Sequence, residues 1–256
     1  MITILTPTYN RAYTLERLYR SLLLQNVPFE WLIIDDGSTD ATKEMIATFQ
    51  ANSPFSIRYV YQENRGKHVA INTGASEALG DFIFIVDSDD MLTNDAFLSV
   101  QNAIISLSKN DVGICFRRAH FDGVLIGNQN LGSDPIKMTP TDAGNYFQGD
   151  LAYIFRTSAL LSHPFPIVKG EKFIPELLIW NAIGDKGKII FYPDKSIYQC
   201  EYLADGYSAN FKQNLRKNPK GFALFYRDQF FRERSLIRKI KCAIRYLQCL
   251  FFGIVR

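Results

Sequence analysis

Asp87, Asp89 and Asp90 stand together at the end of the apolar run in FIFIVDSDD, residues 82–90. Like charges this close repel, and desolvating them costs more, so a cation is expected beside them. Asp87 and Asp89 are two apart, which at a strand end puts both side chains on one side and Ser88 on the other. Two hard oxygen donors facing one spot suit Mg²⁺ or Mn²⁺. So few protein ligands leave coordination positions open for substrate phosphates. A solvated acidic turn after a strand has the same spacing.

Two further segments carry chemistry-bearing side chains. DDGSTD (35–40) supplies Asp35 and Asp36, a glycine turn, and Ser38, Thr39 or Asp40 as the cap of a following helix. A carboxylate there can accept a hydrogen bond from a nucleobase N–H, or can serve an ordinary strand–turn–helix connection. TPTYNR (6–11) offers Tyr9, a flat ring on which a base can stack; a proline-containing loop is the plainer reading.

These segments need a frame that brings them together. Apolar strand-type runs at 2–6, 31–35, 57–61 and 82–87 alternate with helix-type runs near 13–25, 40–51 and 67–79, the last ending by Gly80. Such alternation implies a parallel sheet with right-handed crossovers, its continuous apolar strands buried on both faces. Ligands of such sheets bind beyond the carboxyl ends of the strands. TPTYNR, DDGSTD and DSDD all lie at those ends. Beyond them the pattern predicts a helix near 94–108, a strand at 112–118 with a hairpin return near 121–127, and a loop over 128–148. Strands at 150–156, 188–192 and 196–200, a helix over 175–185 and helical structure from about 206 complete the chain.

Composition narrows the class. With 256 residues, 47% hydrophobic and 14% aromatic, the chain can bury a sizeable core. Cys115, Cys200, Cys242 and Cys249 show no C-x-x-C pairing, which reads as reduced thiols of a cytosolic protein. His68, His120 and His163 are scattered and fit core or surface roles. No signal peptide and no run of about 18 apolar residues is present. Net charge is +3, but residues 232–256 hold seven basic residues against Glu233, a local +6 that leaves −3 for the remainder. A nucleic-acid-binding surface is not implied. No G-x-G-x-x-G follows a strand, which argues against a dinucleotide-dependent dehydrogenase. No glycine-rich basic loop follows the first strand, which argues against a sugar nucleotidylyltransferase.

In combination, TPTYNR, DDGSTD and ENRGKHVAINTGASEALGDFIFIVDSDD (63–90) resemble glycosyltransferase family 2, in that order along about the first 110 residues. The resemblance implies an α/β GT-A fold, a Rossmann-like, mostly parallel sheet flanked by helices. It implies a domain over 1–204, with 1–110 binding a nucleotide-sugar and 111–204 the acceptor, and a C-terminal helical extension over 205–256. By the same resemblance Asp36 reads the uracil of a UDP-sugar and Tyr9 stacks on it. Thr6, Pro7, Lys67 and Ser88 line the nucleotide pocket. Asp87 faces the ribose, and Asp89 binds Mn²⁺ or Mg²⁺ on the diphosphate.

In GEKFIPELLIWNAIG (170–184), Glu176 stands four before Trp180, where the family places its catalytic acid; Pro175 replaces the preceding acid. Glu176 is then the base of an inverting transfer, or complements the dipole of the helix it starts. Asp150 and Glu171 are the alternative acids. YLADGYSAN (202–210) resembles the family's segment over the bound diphosphate, and Lys212 and Arg216 are either phosphate contacts or surface charges. The implied activity is a metal-dependent hexosyl- or N-acetylhexosaminyltransferase acting on a glycan or a lipid- or protein-linked glycan, in the cytoplasm or at the inner membrane face. A non-catalytic nucleotide-sugar-binding or scaffold subunit of a polysaccharide assembly complex is the rival, which need keep neither Asp89 nor Glu176.

The tail is apolar at Leu236, Ile240, Ala243, Leu247, Leu250 and Ile254, one stripe of a basic helix. Such a stripe suits an anionic bilayer surface, a second subunit as a homo-oligomer contact, or the chain's own domain.

Overall fold

Along the first strands, alternate side chains serve two cores. Ile2, Ile4, Trp31, Ile33, Phe82 and Phe84 enter one cluster, while Leu5, Leu32, Ile34, Ile83 and Ile85 enter the other. This is the period of two that a strand covered on both faces must show. The computed structural model describes residues 1–201 and 210–255. The segment singled out at 202–210 lies outside them, apart from Asn210.

The chain begins β1 (Ile2–Thr8), α1 (Ala12–Leu23), β2 (Phe29–Asp35), α2 (Thr42–Asn52), β3 (Ser56–Tyr61), α3 (Lys67–Glu77) and β4 (Phe82–Ile85). There follow β5 (Met91–Leu92), α4 (Ala96–Ile105), β6 (Asp111–Ala119), β7 (Ile136–Met138), α5 (Pro140–Phe147), β8 (Leu151–Arg156), α6 (Thr157–Ser162), α7 (Leu177–Gly184) and β9 (Lys188–Gln199). Helices α8 (Phe211–Lys217), α9 (Pro219–Arg232) and α10 (Leu236–Val255) close it.

One sheet runs β3-β2-β1-β4-β8-β6-β9-β5, with β7 on β9. The α/β architecture expected from the alternation is present. Its first four strands are parallel; from β8 onward it is mixed, β8 lying antiparallel to β4 and β6, and β9 parallel to β6. Leu15, Leu18 and Leu22 of α1, Phe49 of α2 and Phe97 of α4 cover one face. Ala70 and Ile71 of α3, Phe147 of α5 and Trp180 and Ile183 of α7 cover the other. Each fully buried side chain of this size contributes about 1.5–3 kcal/mol of transfer free energy.

Several local expectations are corrected. The stretch 128–148 is not all loop, for it contains β7 and α5. Thr139 caps α5, its hydroxyl accepting the Asp142 N–H, and Pro140 takes the first turn, where its missing N–H is harmless. The two strands expected at 188–192 and 196–200 are one, β9, whose pairing with β6 shifts register between Cys115 and Arg117. Pro193 falls at this irregularity, the kind of place a strand tolerates proline. Helix α3 ends at Glu77, before Gly80. Pro175 precedes α7 instead of opening it, and Glu176 is its N-cap residue.

The C-terminal helices dock on the domain. Thr141, Asn181, Gln229, Glu233 and Asn145 form a hydrogen-bonded chain between α5, α7 and α9. Helix α10 packs through Cys249 and Phe252 against Leu215 and Phe222 of α8 and α9. No helix among the described residues is long and apolar enough to cross a membrane.

Candidate active site

The parallel pairing of β2, β1 and β4 sets their carboxyl ends side by side. Two tethers join the loops that follow. The Asn10 side chain accepts the Thr39 N–H at 2.8 Å, and the Asn10 N–H donates to Ser38 at 2.9 Å. Asn10 is left-handed, φ 51°, a conformation asparagine tolerates better than most residues. Beyond these ends opens a cleft of about 1120 Å³.

Pro7, Tyr9, Asp36, Lys67, Asp87, Ser88, Asp89 and Glu176 all line this cleft. Tyr9 is 47% exposed, so a ring face is available for a flat ligand. Thr6 is the correction. It is fully buried, and its hydroxyl accepts the Trp31 indole N–H at 3.0 Å inside the sheet layer. The strand's alternation turns Thr6 away from the cleft edge that Pro7 and Tyr9 reach.

Asp36 is buried and works on the protein's own backbone. Its carboxylate accepts from the Gln62 amide at 2.7 Å, the Arg65 N–H at 2.9 Å and the Gly66 N–H at 2.7 Å. This holds the turn that starts α3. Gly66 has φ 97°, and a Cβ there would lie 2.0 Å from the Lys172 carbonyl oxygen, so only glycine lets the two halves of the cleft approach. Asp35 accepts from Ser38 N–H and the Tyr59 hydroxyl, a structural role.

The charges of DSDD are met by the chain's own cations. Lys67, first residue of α3, places Nζ 2.5 Å from Asp87 Oδ1 and 2.8 Å from Glu176 Oε1. Burial disfavours the ammonium, but Asp87 and Glu176 outweigh it and hold the Lys67 pKa above its usual value. Arg118 lies 3.6 Å from both Asp87 and Asp90 and 4.0 Å over the Tyr198 ring. The Tyr198 hydroxyl donates to Asp90 at 2.6 Å and accepts the Asp87 N–H at 2.9 Å. Against the cost of burial, Lys67 and Arg118 hold the Asp87 carboxyl below its ordinary value. Asp90 goes the other way: burial first, then the charge of Asp87, raise it to about 7.

Asp89 is held more loosely. Arg11 stands 3.9 Å from its carboxylate, and Arg17 donates to its backbone carbonyl. Burial, with the charge of Asp87, raises its pKa. An under-compensated carboxylate beside Asp87 is a donor set that fits a divalent cation completed by ligand oxygens. No cluster of three or more His, Cys, Asp or Glu suited to a metal occurs among the described residues.

Of the alternative acids, Asp150 lines the cleft. Glu171 does not act there: its carboxylate accepts the Lys220 and Gly221 N–H groups at 2.9 and 2.8 Å, capping α9. Arg11, Arg118 and Tyr198 were not singled out by sequence reasoning. The available signal was the pair Arg117–Arg118 closing an apolar strand, since neighbours on a strand face opposite ways. Arg117 is wholly buried and donates to the carbonyls of Pro193, Ile126 and Asn128; Arg118 faces the cleft.

Comparison with known proteins gives the arrangement a context. The family model described as Glycosyl transferase family 2 matches residues 3–162. The chain is 34% identical over 204 residues to an uncharacterized glycosyltransferase of Rickettsia conorii, covering 73% of this chain and 31% of that protein. It thus spans about a third of the length of the curated relatives it matches. The crystal structure of S. aureus TarS 1-349 in complex with UDP-GlcNAc superposes with a TM-score of 0.69 at 18% identity, covering 99% of this chain and 72% of that one. Mannosyltransferase PcManGT from Pyrobaculum calidifontis, in complex with GDP-Man and Mn²⁺, superposes with a TM-score of 0.64 at 18% identity, covering 98% and 73%. These two likenesses are of fold.

Proposed function

The chain belongs to glycosyl transferase family 2, and from that premise we propose that it transfers a sugar from a UDP-sugar to a hydroxyl of a glycan or a lipid- or protein-linked glycan, with inversion. One observation carries the reading. Lys67 ties the DSDD carboxylates to Glu176 across a single cleft, bridging Asp87 and Glu176 within 2.8 Å. A carboxylate of the DSDD motif and the candidate base thus face the same cleft. That the TarS neighbour is in complex with UDP-GlcNAc supports a uridine donor.

In this reading residues 1–110 hold the donor. Tyr9 stacks on the base, with Pro7 and the Asp36-ordered turn as the pocket wall, and Asp87 and Ser88 lie beside the ribose. Asp89, with Asp87, would hold Mn²⁺ or Mg²⁺; such an ion supplies positive charge to the diphosphate as it departs. The Mn²⁺ in the PcManGT neighbour supports that assignment. Lys67 and Arg118 add fixed positive charge on the same side.

Lys67 occupies Oε1 of Glu176, which leaves Oε2 for the acceptor. Glu176 takes the proton of the acceptor hydroxyl as its oxygen bonds to the anomeric carbon. The bond from that carbon to the phosphate oxygen breaks on the opposite face, and UDP leaves with the electron pair. The decisive experiment is UDP release from a panel of UDP-sugars with acceptor oligosaccharides and Mn²⁺. Turnover with at least one pair supports transfer. UDP binding without turnover for any pair, with Asp89→Ala abolishing that binding, would favour the non-catalytic subunit.

A further inference from the structure

Helix α10 lies against the domain with the wrong face outward for a helix whose apolar side is satisfied. Cys242 and Cys249 are its buried residues. Leu236, Ile240, Ile244, Leu247, Phe251 and Ile254 recur at spacings of three and four, and each is 50–84% exposed. They form one continuous stripe about 27 Å long at 1.5 Å per residue. Soluble surfaces rarely leave so large an apolar patch uncovered.

The charge around the stripe says what covers it. Within residues 236–255 stand Arg238, Lys239, Lys241 and Arg245 and no acidic residue. Over 210–255 there are eleven basic residues and two acidic ones, while 1–209 carry a net −7. Positive charge is therefore concentrated on the very end of the molecule that bears the stripe. Four cations keep the helix from crossing a bilayer. A symmetric pairing of two such helices would set basic flank against basic flank, with no carboxylate on either helix to answer it.

We propose that the outer face of α10 binds an anionic lipid bilayer, the apolar stripe entering the interface and the flanking Lys239 and Lys241 meeting the headgroups. Basic amphipathic helices bind such surfaces by this combination of apolar area and charge. The placement has a consequence for the cleft. Gln213, Asn214 and Lys217 of α8 line it, and α8 rests on α10 through Arg216 over Phe252 and Arg245 over Phe211. The cleft therefore opens one helix layer from the lipid surface.

The test is flotation of the full chain with phosphatidylcholine vesicles, with and without phosphatidylglycerol; it needs no turnover, so it stands or falls apart from the transferase reading. We expect about tenfold more bound protein on the anionic vesicles, and a fall of the same order on raising salt. Ile244→Ser with Leu247→Ser should abolish flotation, and both positions are exposed, so the fold should survive. Lys239→Glu with Lys241→Glu, which leaves the stripe intact, should abolish the preference for anionic lipid. Equal distribution between vesicles and solution overturns the proposal. So does a vesicle-free dimer, seen by sedimentation equilibrium, that the Ile244/Leu247 substitutions dissociate, for then the face belongs to a second copy.

Discussion

Lys67 and Glu176, 109 positions apart in the chain, meet in an ion pair of 2.8 Å. The first turn of α3 is thereby joined to the N-cap of α7, and the two sides of the cleft share one cation. Arg118 does the same for Asp87 and Asp90 at 3.6 Å. The carboxylate cluster at the end of β4 is stable because its charge is largely answered from within, with Asp89 left the least compensated.

Glu176→Gln should lower sugar transfer by about 10²–10⁴-fold, the usual size of a general-base contribution. Glutamine keeps the shape and can still contact Lys67, so UDP affinity measured by calorimetry should stay within about threefold. A variant with full activity would move the base elsewhere, with Asp150, which also lines the cleft, the alternative acid.

Asp89→Asn should remove metal-dependent UDP binding while leaving the fold intact. Calorimetry with Mn²⁺ and with EDTA should give at least about tenfold tighter UDP binding with metal in the wild type. The two values should coincide in the variant, because a carboxamide is a poor ligand for a hard divalent cation. Equal wild-type affinities in Mn²⁺ and EDTA would exclude a metal at this carboxylate.

Glu171→Ala separates structure from catalysis. Its two hydrogen bonds cap α9, and losing such a cap costs about 0.5–2 kcal/mol. The melting temperature should fall by a few degrees while transfer measured below the transition stays near wild type. Lost transfer with an unchanged melting temperature would return Glu171 to the list of reacting groups.

Asp111 gives a pH signature away from the cleft. Burial opposes its charge, but Lys137 at 2.9 Å and the Ser108 donors outweigh burial and hold its pKa below the ordinary 3.8. In acid the unfolded chain takes up this proton before the folded one does. The stabilisation is therefore present above the ordinary value and is lost as pH falls through the folded one. Asp111→Asn should lower stability by about 1–2 kcal/mol near neutral pH, and its melting curve should converge on wild type as pH drops below about 4. A difference that stays constant with pH would mean that charge contributes nothing there.

Gly66→Ala should be among the most disruptive single-methyl changes. It meets both a φ of 97° and a carbonyl 2.0 Å away. We expect a loss of about 1–3 kcal/mol, with weaker UDP binding, since the turn that Asp36 orders must shift. A melting temperature equal to wild type would show that this turn and residue 172 need not be in contact.

Much of this molecule was legible in one dimension. The alternation of apolar strands and helices determined the first half of the sheet, and ligand sites at strand ends followed from it. That placed TPTYNR, DDGSTD and DSDD on one edge; that Pro7, Tyr9, Asp36, Asp87 and Asp89 share a nucleotide site was what the family resemblance implied. Local patterns report local geometry: a period of two or of 3.6, a carboxylate pair two apart, a proline near a helix start. What they do not report is the partner. Thr6 sits in the motif yet turns to Trp31, because one step along a strand reverses the facing. Glu171 and Glu176 are both carboxylates near α7, but only packing assigns one to the N-terminus of α9 and the other to Lys67. The apolar character of α10 was visible from its spacing, drawn through Ala243 and Leu250; only the tertiary structure decided that Cys242 and Cys249 face inward and that the exposed stripe runs through Ile244 and Phe251. Each of these depends on contacts between residues far apart in the chain, set by how the layers close, and such contacts leave no periodic mark in the sequence.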